Sequence, residues 1–92
     1  MRFMMTYAVP SDAWETAVER FLDSGGLPPE GVTMVDRWHA AAGRHGFILL
    51  ETDDPTAIYQ FAVEWSDVVD HTITPVLDDD EVAAVLSARA ED

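Results

Sequence analysis

The apolar positions change period several times along the chain, and each change predicts an element. In residues 2–9, Phe3, Met5, Tyr7 and Val9 alternate with Met4, Thr6 and Ala8, the period-two pattern of a strand whose two faces are both apolar enough to be covered. Pro10-Ser11-Asp12 stops that strand, and Asp12 with Glu15 has the form of a capping box for a helix from about Ala13. Trp14, Ala17, Val18, Phe21 and Leu22 then recur at helical spacing, with Glu15, Glu19 and Asp23 outside, until Gly25-Gly26 ends the helix. Pro28-Pro29 forbids both helix and sheet ladder, so the second strand is expected from Val32 to about Ala40. Residues 41–46 supply a hairpin turn, and Phe47 to Thr52 is a short apolar run that reads as a central third strand.

Asp53-Asp54-Pro55 joins capping carboxylates to a proline suited to a first helical turn, and Ile58, Phe61, Ala62 and Trp65 mark a second amphipathic helix ending near Ser66-Asp67. Residues 70–77 alternate as a fourth strand, in which Pro75 lacks a ladder donor and points to an edge or a bulge. Asp78 to Glu81 puts negative charge at the start of a third helix with a short stripe of Val82, Val85 and Leu86. The order βαββαβ plus a C-terminal helix predicts one α+β domain over residues 1–92. Its four-stranded antiparallel sheet should carry two helices on one face, a ferredoxin-like arrangement. The other face would expose a patch of partner-surface size, so a face-to-face homodimer is expected. The third helix would lie across the partner or close one end of its own sheet.

Several segments resemble a known family: residues 25–31 (Gly-Gly-Leu-Pro-Pro-Glu-Gly), 36–39 (Asp-Arg-Trp-His), 51–54 (Glu-Thr-Asp-Asp), 64–67 (Glu-Trp-Ser-Asp) and 74–79 (Thr-Pro-Val-Leu-Asp-Asp). Together with the opening Arg-Phe-Met-Met-Thr-Tyr, they make the chain similar to the domain of unknown function 3303 family over nearly its whole length. The resemblance implies a dimeric α+β barrel of the ferredoxin-like kind and brings no established activity. Asp36 stands where that family commonly has a glycine before Arg-Trp-His.

Charge narrows the partners. The 92 residues hold 18 Asp and Glu against five Arg and no Lys, a net charge of −13 that repels phosphate backbones and anionic lipid, so neither nucleic acid nor membrane is an expected partner. Such acidity with no Lys suits either a high-salt cytoplasm or a GC-rich genome that favours Arg and Ala, and the salt explanation is the one preferred. With no cysteine, disulfides, thiol nucleophiles and thiolate metal sites are excluded. No apolar run approaches the roughly 20 residues of a membrane span, and Met1 to Met5 is too short for a signal-peptide core, so the expected location is cytoplasmic.

Candidate chemistry centres on Arg37 and His39, which period two places on one strand face. Arg37 is a fixed fork of donors for a carboxylate or enolate, and His39 exchanges protons near neutrality, so the pair reads as anion stabiliser and proton shuttle. A hairpin centred near Ala42 and Gly43 would set Val35 opposite Glu51 and bring Glu51 to the same face as a third catalytic candidate. The structural alternative is Arg37 paired with a surface acid, His39 capping a strand end and Glu51 solvated. Trp38, Tyr7 and His71 are the ligand-binding candidates, with Trp14 and Trp65 read as core anchors. The positions 39, 45 and 71 lack metal-ligand spacing, so neither metal nor cofactor is expected. The leading functional expectation is a homodimeric small-molecule binding domain, open to cofactor-independent catalysis. The rival is a non-catalytic interaction or assembly subunit, for which no enclosed pocket is needed.

Overall fold

Backbone punctuation by Pro, Gly and Asp sets the element boundaries in a computed structural model that describes residues 1–91. These are β1 (Arg2–Ala8), α1 (Trp14–Ser24), β2 (Thr33–His39), β3 (His45–Glu51), α2 (Pro55–Trp65), β4 (Asp70–Val76) and α3 (Asp79–Glu91). Gly25 ends α1 in the left-handed region at φ 76°, its N–H donating to the Phe21 carbonyl at 2.8 Å. Asp54 caps α2, its Oδ1 accepting from the Thr56 N–H (3.0 Å) and hydroxyl (2.6 Å), with Pro55 in the first turn. The capping box expected from Asp12 and Glu15 does not form. A 3₁₀ turn over Ser11–Ala13 precedes α1 instead, and the Ala13 N–H goes to the Pro10 carbonyl at 3.0 Å. At α3 the box is complete: the Glu81 N–H donates to Asp78 and the Asp78 N–H to Glu81.

The fold is α+β, with a four-stranded antiparallel open sheet in the order β2-β3-β1-β4 and three helices. Apolar β1 and β3 take the two central positions, and Pro75 sits on the edge strand β4, where its missing donor costs nothing. Phe3 and Met5 of β1 with Ile48 and Leu50 of β3 face the helices and pack with Ala57, Ile58 and Phe61 of α2. Burying such side chains supplies about 1.5–3 kcal/mol each. The second cluster, Val9, Ala17, Val68 and Val69, is smaller, and Ala17 is the sole buried residue of α1.

The two helices leave the opposite sheet face open. Met4, Thr6, Asp36, Trp38, Phe47, Leu49, Thr72 and Thr74 share it, and the cross-strand pair Trp38 and Phe47 is 48% and 41% exposed. Nor does α3 close its own sheet. Residues 79–89 are all exposed, and the molecule measures 55 Å along its longest axis. Its radius of gyration of 15.9 Å exceeds the roughly 12 Å of a compact chain this size.

Candidate functional site

Antiparallel register places one residue from each strand in a row across the helix-facing side: His39, Gly46, Tyr7 and His71. The next row is Arg37, Ile48, Met5 and Ile73, and beyond it the face is apolar. Gly46 is the gap in the first row. A Cβ there would lie 2.5 Å from the Trp38 carbonyl and from both Cε1 and the hydroxyl of Tyr7. Through that gap the Tyr7 ring leans over β3 and its hydroxyl meets His39 Nδ1 at 2.5 Å, although the two backbones stand about 10 Å apart, two strand spacings. Burial pushes the Tyr7 phenol up from its ordinary pKa against the pull of the nearby Arg37 charge. The contact ties the His39 ring to the phenol, with the donor and acceptor roles set by the imidazole tautomer.

Arg37 is fixed from the other side. Its two terminal nitrogens donate to the carbonyls of Gly26 (2.9 Å) and Gly25 (3.0 Å) at the end of α1, and its guanidinium lies 4.9 Å from the Phe21 ring centroid. Glycine suits position 26 because its φ of 60° is left-handed, and a Cβ there would also come within 2.9 Å of the guanidinium. Arg44, in the β2–β3 turn, donates through Nε to the Val9 carbonyl at 3.1 Å. Burial lowers the His71 pKa more than neighbouring Asp70 raises it, so His71 is neutral at pH 7.

These side chains border a cavity of about 380 Å³ between α1 and the sheet, within the range of small-ligand sites. Trp14, Phe21 and Trp65 give it an apolar wall, and Tyr7, Arg37, His39, Arg44 and His71 are its polar residues. His45 borders it too, with its ring edge-on to Phe47. The cavity exists because α1 stands off the sheet. A bidentate Arg20–Asp67 pair (2.8 and 2.7 Å), with Arg20 also 5.4 Å from the Trp65 ring centroid, ties α1 to the end of α2.

The structure brings together four of the six residues singled out from sequence: Tyr7, Arg37, His39 and His71. Trp38 and Glu51 lie on the opposite face. The hairpin pairs His39 with Gly46 and Arg37 with Ile48, one residue off the register expected, which turns Glu51 to the other face; a bulge between Met34 and Asp36 then leaves it opposite Thr33, and it meets Arg2 at 3.5 Å. Arg37 caps a helix with no carboxylate partner among the described residues, so the expected surface ion pair is also absent. Trp14 and Trp65, expected as core anchors, are the tryptophans that line the cavity. Arg44 and Gly46 were missed. The signal for Gly46 was present, since an isolated glycine at a strand position marks a close approach, but it reads equally as part of the turn.

The family model for "Domain of unknown function (DUF3303)" matches residues 1–90. No curated protein matches the chain.

Two outcomes test this geometry. Gly46→Ala should cost about 1–3 kcal/mol in urea unfolding, because backbone and ring must both move; unchanged stability would remove Tyr7 from its place over β3. For His71, the folded pKa lies below the unfolded value of about 6.5, so the unfolded chain takes up a proton first and stability falls as pH drops through that value. Melting followed from pH 7 to pH 5 should therefore fall less in His71→Gln than in the wild type.

Proposed function

The chain belongs to the DUF3303 family, which brings no activity with it, and from the site itself we propose a homodimeric domain that holds a small molecule between α1 and the sheet. The observation that carries the reading is the cavity, whose apolar walls converge on a few fixed polar groups, the usual composition of a ligand site. A cavity of this size weighs against a purely assembling subunit. The Tyr7–His39 pair beside Arg37 is also suited to proton transfer next to a developing negative charge, which supports cofactor-independent catalysis as the second reading.

The dimer is supported by what the chain leaves unpacked. Trp38 and Phe47 lie side by side on the open sheet face, and a second copy is the occupant that matches both this face and α3. A helix of 13 residues whose described side chains, at 79–89, are all exposed is marginal in water, so α3 needs a surface to lie on. The strand order and antiparallel pairing support the ferredoxin-like layout, and two open faces in contact would complete a dimeric α+β barrel.

Native mass spectrometry of protein purified from its own host tests both halves. The expected result is a dimer retaining a small molecule, with a Trp38→Glu, Phe47→Glu double variant appearing as a folded monomer. A wild-type monomer carrying nothing at micromolar concentration contradicts the proposal.

A further inference from the structure

We infer that the cavity takes an organic anion, an apolar flat body carrying one carboxylate or similarly delocalised oxyanion. This rests on the small-molecule reading above and adds the sign and shape of the ligand. The sign follows from how charge is distributed. Among the described residues no carboxylate lines the cavity, whereas two of the chain's five arginines do. Of the three arginines outside the cavity, Arg2 pairs with Glu51 and Arg20 with Asp67, while Arg89 lies exposed on α3. Arg37 and Arg44 have no carboxylate partner among the described residues, and in a chain of net charge −13 that is a strong local exception.

Both guanidiniums are held by carbonyl oxygens, which orient them without cancelling their charge. Arg37 commits two of its five N–H donors to Gly25 and Gly26, and Arg44 commits one to Val9. Donors fixed in advance lose little freedom when a ligand arrives. The neighbouring groups have the same preference: the Tyr7 phenol is held protonated, and the imidazoles of His39 and His71 each carry at least one N–H. No lining group offers negative charge to a cation. The shape follows from Trp14, Phe21 and Trp65, whose rings suit a planar or extended hydrocarbon body.

Isothermal titration calorimetry with three probes of one shape tests the inference: 2-naphthoate, 2-naphthamide and 2-naphthylmethylammonium. Charge-assisted hydrogen bonds should make naphthoate bind at least about tenfold tighter than the amide, with the ammonium weakest. Arg44→Gln and Arg37→Gln, with folding checked by circular dichroism, should between them include a loss of about tenfold or more for naphthoate that leaves the amide within about twofold. Equal binding of acid and amide, a preference for the ammonium, or equal losses for both probes in the variants would overturn the anion assignment and leave the cavity reading standing. Failure of all three probes at millimolar concentration would overturn both.

Discussion

The reach of Tyr7 across Gly46 to His39 decides what lies beneath α1. Strand spacing keeps the first and third residues of that row too far apart for ordinary cross-strand contact, and the absent side chain at position 46 lets a ring bridge them. A polar row made this way cannot be packed as hydrocarbon. The helix above it therefore buries only Ala17, while α2, over the apolar rows, buries Ala57, Ile58 and Phe61. One half of the helix-facing layer is a core and the other half a site.

Electrostatics reinforces that division. Surface acids give the chain a large negative charge, yet among the described residues the ionisable groups bordering the space between α1 and the sheet are arginine, histidine and tyrosine. Arg37 shows how local structure and site are joined. The carbonyl dipoles that end α1 hold it, Gly26 makes room for it, and Phe21 offers its ring face, so the same contacts that dock the helix place a cation at the cavity.

Much of the architecture was legible because its causes are local. Pro55 and Asp54 start α2, Gly25 ends α1, and the continuous apolar run from Phe47 to Leu50 marks β3 as central. The shared face of Arg37 and His39 followed from the same periodicity. Glu51 was misplaced by one residue of hairpin register: with His39 opposite Gly46 and Arg37 opposite Ile48, alternation along β3 puts Glu51 on the other face, and nothing in the local pattern fixes that register. Trp38 was misjudged for a related reason: alternation relates it to Arg37 and His39 but does not say which face the helices choose. The roles of Trp14 and Trp65 exchanged with that of Trp38 once α1 was held away from the sheet, a tertiary outcome set by Tyr7 and Gly46.

The three tryptophans make the central claim directly measurable. Trp14 and Trp65 line the cavity and Trp38 lies on the far side of the sheet, so the three indole N–H signals in a ¹H–¹⁵N spectrum report the two faces separately. On titration with 2-naphthoate, the signals of Trp14 and Trp65 should move together while that of Trp38 stays in place. A shift confined to Trp38 would put the ligand on the open face and contradict the account.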